Sequence, residues 1–250
     1  MKLLQIPKAP EASTTYVPSQ YYEITNGGSQ EFKFTGRSGQ HFGFSKILPG
    51  SSGSLNDMTA KATLNTDKIL FEDVKLSVLR SHFQYRELLF PYIIEPSNNL
   101  VITITNSSGS TEKVGIQLLG YDAPYLKVIL DKYSDQGITP PRPVFLHANE
   151  EISSNAAAQS VDVPIKSVRL KMVRATVKSD SDSNIAFSLK LNNVAVKNKV
   201  FVNQFNDEYV NGYANVPFIV GVNEPLSLTV DNLDSNAHDL SFLGECYVDQ

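Results

Sequence analysis

The chain has 250 residues, of which 41% are hydrophobic and 19% are charged, and its formal net charge is −4. This composition is typical of a folded globular protein, because disordered chains have fewer apolar residues and a higher net charge. Lysine and arginine are scattered, whereas binding to a nucleic-acid backbone needs clustered positive charge. No apolar run is long enough to cross a bilayer. We therefore predict neither a nucleic-acid contact nor a transmembrane segment.

The cysteine content and the N-terminal segment both predict a protein made in a reducing cytoplasm. Cys246 is the only cysteine, which excludes an intramolecular disulfide. It lies in a strand-like segment, where a small buried side chain is a better interpretation than a reactive thiol. The first residues contain only a brief apolar stretch, broken by Pro7, which is too short for the core of a signal peptide.

The chain begins with a segment typical of an extended arm and continues as short strand-like segments. Residues 1–20 are rich in Pro, Ser and Thr, which predicts an extended N-terminal arm. In residues 31–35, Phe32 and Phe34 share one face and polar residues share the other, as in a half-buried strand. Glycine-containing turns separate such segments. Further segments of this kind lie at 21–25, 41–47, 61–65, 71–79, 100–106, 114–121, 161–179, 184–196 and 199–205.

Residues 123–144 interrupt the alternation. Pro124 favours a short helix through Tyr133, because Leu126 and Ile129 would share one helical face. A strand over 126–130 fits the same residues equally well. The prolines at 140, 141 and 143 then predict an extended linker, since each removes a backbone donor and restricts the preceding residue.

One sequence pattern occurs twice, at residues 91–106 and 217–232. In each copy a proline precedes a short apolar strand, a polar turn and an alternating strand that ends in Asn106 or Asn232. These asparagines lie where the strand must stop, and their side chains can bond the turning backbone. A shorter repeat follows these asparagines, and in it Gly120 matches Gly244. Glycine near the end of a strand predicts a bulge or a close backbone approach.

A repeat at half the chain length indicates two copies of one supersecondary unit. We therefore predict an all-β fold of two tandem jelly-roll or β-sandwich domains related by internal duplication. The predicted bounds are 1–20 for the arm, 21–135 for the first domain, 136–145 for the linker and 146–250 for the second domain.

The sequence contains none of the common catalytic, nucleotide-binding or metal-binding motifs, so we predict no enzymatic activity, no cofactor and no metal. The acidic strings at 179–184 and 231–236 resemble calcium loops only in their oxygen content, and we interpret them as solvated turns. Hydrolysis would need paired carboxylates. Candidates are Glu87, Asp122, Asp207 and Glu208, and nothing in their spacing places two of them together.

Two segments are candidates for binding. The amphipathic segment 80–90 combines aromatic residues and arginine, which favour interface cores; an ordinary edge strand is the alternative. The candidate interface residues are Arg80, Phe83, Tyr85, Arg86 and Phe90. The segment 203–216 is rich in Asn and Tyr, a composition suited to a ligand loop, although the absence of Trp weakens a carbohydrate site and a plain surface loop is the alternative. The candidate ligand residues are Asn206, Asp207, Tyr209, Asn211 and Tyr213.

The closing pattern PFIV…LSLTVDN…LSFLGECY, the two successive β-sandwich units and the N-terminal arm resemble those of a known family. Over about residues 20–250 the chain resembles the double jelly-roll capsid proteins of tailless bacteriophages, and it is also similar to single jelly-roll virion proteins duplicated in tandem. It departs from the capsid family in one respect, because the two halves of those proteins rarely look alike in sequence.

The resemblance implies a structural, non-enzymatic protein of a virus (phage) particle. In that family three copies, each with two jelly rolls, form a pseudo-hexagonal tile, and the arm ties neighbouring tiles together. The expected partners are the protein itself, as a homo-trimer or higher assembly, and other virion proteins. The expected location is the virion, after synthesis in the host cytoplasm. The alternative is a glycan- or receptor-binding module of a virion decoration, penton or fibre component.

Overall fold

The computed structural model describes residues 19–35, 40–65, 68–84, 87–166, 169–208 and 218–248. Its first eight strands are β1 (Ser19–Ile24), β2 (Ser29–Thr35), β3 (Phe42–Ser51), β4 (Met58–Leu64), β5 (Lys68–Lys75), β6 (Tyr92–Ile94), β7 (Asn99–Asn106) and β8 (Glu112–Tyr121). The next eight are β9 (Pro143–Ile152), β10 (Gln159–Val163), β11 (Leu170–Ser179), β12 (Ile185–Leu191), β13 (Val194–Phe201), β14 (Phe218–Val220), β15 (Leu226–Asn232) and β16 (His238–Val248). The helices are α1 (Leu76–Gln84), α2 (Ala123–Ser134) and α3 (Val202–Glu208), and a 3-10 helix at Leu55–Asp57 precedes β4.

The strands form four sheets that repeat one topology. The first half has the strand orders β1-β8-β3-β6 and β2-β7-β4-β5, and the second half has β9-β16-β11-β14 and β10-β15-β12-β13. Each strand of the second half therefore occupies the place of the strand eight positions earlier. Eight strands divided between two sheets in this crossed order form a jelly roll. The predicted all-β fold of two duplicated jelly rolls is confirmed.

The alternating pattern places one face of each sheet in the interior. Leu100, Ile102 and Ile104 of β7 are buried, and the residues between them are half-buried. Leu226 and Leu228 of β15 repeat this arrangement in the second half. Full burial of such a side chain contributes about 1.5–3 kcal/mol relative to an exposed one. The inward-facing residues of the two paired sheets therefore form the core of each jelly roll.

Contacts divide the chain into two compact units. Among the described residues, those up to 72 and from 87 to 143 form the first unit, and 73–84 with 144–248 form the second. The second unit therefore includes helix α1, which comes from the first half of the sequence. The continuous domain bounds predicted from the sequence do not contain this feature, and those bounds stay a prediction.

Two of the three helices lie where the alternating apolar pattern predicts strands. Helix α2 confirms the helical interpretation of residues 123–133, with Asp122 as its N-cap and Pro124 in its first turn. The strand predicted over 71–79 ends at Lys75, because Leu76, Leu79 and Phe83 recur at helical spacing and are buried on one side of α1. The strand predicted over 199–205 similarly ends where α3 begins.

The two repeated asparagines are buried and make equivalent hydrogen bonds. The Asn106 side chain donates to the carbonyls of Ile24 (2.9 Å) and Ser110 (2.8 Å), and its oxygen accepts from the Ser108 amide. Asn232 donates to the carbonyls of Ser153 (3.0 Å) and Asn236 (2.7 Å). Its oxygen accepts from the Asp234 amide at 2.9 Å. Each asparagine thus joins the turn after its strand to the end of the first strand of its unit, as the repeat predicts.

Gly120 confirms the predicted close backbone approach, whereas a Cβ on Gly244 would lie nearest to side-chain atoms, and the two glycines are not equivalent. A Cβ on Gly120 would lie 1.9 Å from the Gly43 carbonyl oxygen, so no other residue fits. Gly120 pairs with Phe44, the residue before a bulge in β3. The residue before the corresponding bulge in β11 pairs with Cys246 instead. The position of the bulge therefore equates Gly120 with Cys246, and the sequence match between Gly120 and Gly244 is wrong.

We predict that Asn106→Ala and Asn232→Ala each lower the free energy of unfolding by about 2–4 kcal/mol, because each leaves several buried backbone groups without their partner. Urea unfolding followed by circular dichroism measures this loss. The matched control is Asn198→Ala on the exposed strand β13, which should change stability by less than about 0.5 kcal/mol. Equal stability of the buried and the exposed variants would contradict the structural role of the two asparagines.

Candidate functional site

Residues 80–84 of the candidate interface segment belong to helix α1 and residues 87–90 lie in no strand, so the described part of the segment is not an edge strand. Phe83 and Phe90 are almost completely buried within the chain, so their rings are not available to a partner surface. Arg80 is exposed on α1, and Tyr85 and Arg86 lie outside the described residues. An interface at this segment stays a prediction for the exposed surface around Arg80.

Helix α1 packs on β11 and β16 over a buried polar cluster. Arg174 and Glu245 form an ion pair on the covered face of this sheet, and both side chains are at most 3% exposed. The Tyr247 hydroxyl donates to Glu245 Oε1 at 2.6 Å. His82 of α1 contacts the same cluster, with Nδ1 3.0 Å from Thr176 Oγ1 and Nε2 3.8 Å from Glu245 Oε2.

Burial determines the protonation of this cluster. Burial lowers the pKa of His82, the charge of Arg174 lowers it further, and the pKa falls to about 4 although Glu245 opposes the change. Burial alone would raise the pKa of Glu245, but His82 and Arg174 outweigh it and hold that pKa below its ordinary value. At neutral pH the helix therefore presents an uncharged imidazole to a charged pair.

The first unit lacks this cluster at the equivalent place. The pair that follows the bulge is Arg174 with Glu245 in the second unit and Lys46 with Leu119 in the first. Lys46 and Leu119 are both half-buried. The charged pair is therefore a feature of the second unit alone and lies where α1 covers the sheet. Its geometry anchors helix α1 to the sheet through His82.

A sequence signal for this cluster does exist. Between Leu240 and Tyr247, buried residues point to both faces of β16. A strand that is apolar on both faces is covered on both faces. The alternating pattern therefore breaks where α1 covers the sheet, and Glu245 is the one charged residue within that run.

The candidate ligand segment begins as a helix and not as a loop. Residues 203–208 belong to α3, whose Phe205 packs against Phe187 of β12 with ring centroids 5.1 Å apart. The backbone of Asn206 and Asp207 lies in this helix. Tyr209, Asn211 and Tyr213 lie outside the described residues, so a ligand site there stays a prediction.

The connections at one end of the second unit meet around two acidic turns. The amide of Asn203 in α3 donates to the Asp182 carbonyl at 3.2 Å, and the amide of Asn155 donates to the Asp234 carbonyl at 2.8 Å. The Asn184 side chain joins the two turns by donating to Asp234 Oδ2 at 3.0 Å. The acidic strings therefore form one hydrogen-bonded loop cluster and not two separate turns.

The first unit contains a cavity of about 330 Å³ beside β6 and α2. Its wall includes Phe90, Leu130, Pro141 and Arg142. The Arg142 guanidinium lies over the Tyr92 ring, 5.2 Å from its centroid, and its Nε donates to the Tyr92 hydroxyl at 3.0 Å. This cavity has the volume of a small-ligand site, but the Arg142 guanidinium on its wall already stacks on the Tyr92 ring.

The carboxylates considered for hydrolysis have structural partners where they are described. Glu87 accepts a hydrogen bond from the Tyr121 hydroxyl at 2.7 Å, and Asp122 caps α2. Across the part of the chain that the structure describes, no three His, Cys, Asp or Glu residues lie close enough to hold a metal ion. None of the described helices is long and apolar enough to cross a membrane. Cys246 is buried, as predicted, and burial raises the pKa of its thiol.

No family model matches the chain, and no curated protein matches it either. Among solved structures, the chain is similar to the STIV MCP, with a TM-score of 0.47 and 14% identity over 93% of this chain and 96% of that chain. It is also similar to the major capsid protein P2 from bacteriophage PM2, with a TM-score of 0.44 and 10% identity over 93% of this chain and 98% of that chain. The ANXUR2 extracellular domain from Arabidopsis thaliana gives a TM-score of 0.27 and 9% identity over 92% of this chain and 83% of that chain.

Similarity at these levels does not bear on function. The class of the protein follows from its own strand order, which repeats one jelly roll in two successive units. The chain is a double jelly-roll protein.

The buried histidine makes a prediction about acid stability. Its pKa is about 4 in the folded protein and about 6.5 when exposed, so the unfolded state takes up a proton that the folded state does not. The stability from His82 is complete above pH 6.5 and is lost as the pH falls toward 4. We expect a loss on the order of 3 kcal/mol from this residue.

The measurement is the free energy of unfolding in urea across this pH range. His82→Gln keeps a hydrogen-bonding side chain without a titrating group, so its stability should fall less steeply with acid. Arg80→Gln, on the exposed side of the same helix, should keep the wild-type slope. The same slope in His82→Gln and the wild-type protein would show that the imidazole is not buried in its neutral form.

Proposed function

We propose that this protein is a structural protein of a virus particle, a capsid protein that assembles with copies of itself through its two jelly rolls and its N-terminal arm. The observation that carries the proposal is the repeated strand order of the two units. Jelly rolls recur in viral capsids, although lectins and other proteins also use them. Because one chain contains two equivalent jelly rolls, three copies contain six. Six similar jelly rolls suit a pseudo-hexagonal tile.

Exposed sheet edges support assembly through the sides of the sandwiches. Strand β13 is the last strand of its sheet, and Val194 and Val196 are exposed on it at 68% and 40%. Strand β1 is an edge strand of the first unit and exposes Tyr21 at 61%. Exposed edges with apolar side chains favour pairing or packing with another chain.

Strand β1, from which the proposed N-terminal arm would extend, lies at such an edge. Strand β1 begins at Ser19, and it pairs with β8 on one side only. An arm attached there can reach a neighbouring copy, because about 18 extended residues span roughly 60 Å.

The second candidate function is a glycan- or receptor-binding module of a virion decoration, penton or fibre component. The observation that favours it is the loop cluster at one end of the second unit, where the Asn- and Tyr-rich segment begins beside Asp182. Loops gathered at one end of a rigid scaffold are a common place for binding residues.

We predict that the purified protein assembles beyond the monomer at micromolar concentration, as size-exclusion chromatography with light scattering and electron microscopy would show. A double variant Val194→Lys/Val196→Lys should reduce assembly without lowering the unfolding temperature, because a charged edge resists pairing. The control is Val128→Lys, since Val128 is equally exposed on helix α2 and away from the sheet edges.

A strictly monomeric protein that forms no tiles would contradict the capsid proposal. In that case, binding on a glycan array that is lost in Tyr209→Ala or Tyr213→Ala would favour the binding module. A monomer that also binds no glycan or cell surface would contradict both functions.

A further inference from the structure

His238 lies between two carboxylates on different turns of the second unit. Its Nε2 is 3.0 Å from Asp234 Oδ2, on the turn between β15 and β16. Its Nδ1 is 3.2 Å from Asp180 Oδ1, on the turn between β11 and β12. The His238 side chain is only 13% exposed, so water cannot readily replace these contacts.

The chemistry of imidazole makes this arrangement depend on protonation. A neutral imidazole has one N–H and one lone pair, whereas the imidazolium has two N–H groups. Only the imidazolium can donate to both carboxylates at once. In the neutral ring, one nitrogen lone pair faces a carboxylate oxygen, which is a repulsive contact.

The two carboxylates are not held equally. Asp234 accepts from the Asn184 side chain at 3.0 Å and from the amide and the side chain of Asn236 at 3.1 Å each. Asp180 accepts from the Ser179 hydroxyl at 3.3 Å, and it is more exposed than Asp234, at 42% against 23%. Asp180 therefore turns toward water at lower cost than Asp234.

The other charges near His238 are paired with one another. Lys178 pairs with Asp182 on the turn between β11 and β12. Lys75 pairs with Asp239, the residue after His238, at 3.1 Å. The carboxylates that face the imidazole directly are thus Asp180 and Asp234.

We propose that His238 is a pH-dependent clamp that joins the two turns when it is protonated. When it loses its proton, it keeps its hydrogen bond to Asp234 and releases Asp180. The start of the turn at residues 179–184 then loosens, whereas Asn184 still joins the end of that turn to Asp234 and the turn at 233–237 stays in place. The amide of Asn203 in α3 is bonded to Asp182. Loosening of this turn therefore also weakens the contact that holds the start of the Asn- and Tyr-rich segment.

The electrostatics agree with this geometry. The hydrogen bond with Asp234 raises the pKa of His238 above its ordinary value of 6.5, burial opposes the change, and Asp180 adds to it. Because the folded pKa is raised, the stability from the clamp is complete below pH 6.5 and is lost as the pH rises through the folded pKa. This clamp therefore weakens in base, whereas the buried His82 weakens the fold in acid.

The experiment is an NMR titration of the ¹⁵N- and ¹³C-labelled full chain from about pH 5.5 to about 9, with His238 assigned by comparison with His238→Gln. We expect a His238 pKa above 6.5 and the Nε2–H tautomer at high pH. Hydrogen-exchange mass spectrometry, corrected for intrinsic exchange, should show protection at 179–184 falling by about tenfold above the midpoint, with 233–237 unchanged.

Variants separate the clamp from general loosening of the loops. His238→Gln should show the low protection at 179–184 at every pH, and Asp180→Asn should lower the pKa of His238 and remove the pH dependence. Asp162→Asn, on the exposed side of β10, is the matched control and should behave as the wild-type protein. A His238 pKa at or below 6.5, the Nδ1–H tautomer at high pH, or the same pH response in His238→Gln would overturn the proposal. None of these results depends on assembly, so the clamp and the capsid function can fail separately.

Discussion

In each unit, two four-stranded sheets must bury one face against each other, and every other feature of the structure depends on this packing. Side chains alternate along a strand, so a shift of one residue would move a whole apolar set to the solvent. The register is therefore fixed wherever a face is buried. At the step before the register changes in β3 and β11, the partner strand carries Gly120 and Cys246 respectively. The asparagines at 106 and 232 then fasten the last turn of each unit to its first strand.

Each unit has a helix against one of its sheets, α2 on β3 in the first unit and α1 on β11 and β16 in the second. Helix α1 covers the outer face of its sheet, and the buried ion pair lies under that helix. Removing two charges from water is costly, so such a pair is weak support for stability. The pair instead fixes the position of helix α1 on the sheet. Glu245 makes directional contacts to Arg174, Tyr247 and His82 that an apolar residue could not make. The two copies have thus kept one topology, while the second unit places a buried ion pair under the helix that packs on its sheet.

The sequence predicts the parts of this structure that repeat or alternate. The duplicated closing strands, the capping role of Asn232 and the helix after Pro124 all follow from local patterns, because strand alternation, turn chemistry and a proline in the first helical turn act over a few residues. Helices α1 and α3 are harder to predict, because each is short and follows a strand without an interruption in the apolar pattern. The equivalence of Gly120 with Cys246 was missed because a bulge changes which residues face each other without leaving a mark in the sequence.

Local sequence patterns cannot predict which residues that are distant in sequence contact each other. His82 meets Glu245, and His238 meets Asp180, only because the crossed strand order brings them together. A charged residue in a strand that is apolar on both faces indicates that another helix or strand covers the outer face. It does not indicate which element this is. For the same reason the acidic turns looked independent, although Asn184 and His238 connect them.

The most direct measurement of the central claim is a pair of engineered disulfides, one at the equivalent place in each half. Lys61 faces Thr103 across β4 and β7, and Ser188 faces Thr229 across β12 and β15. Facing residues in an antiparallel pair have Cα atoms about 4.5–5.5 Å apart, which a disulfide can span. The account predicts that Lys61→Cys/Thr103→Cys and Ser188→Cys/Thr229→Cys both form intramolecular disulfides under mild oxidation, as mass spectrometry would show, while the single-cysteine variants do not. A crosslink in one half and none in the other, with both variants folded, would contradict a duplicated jelly roll.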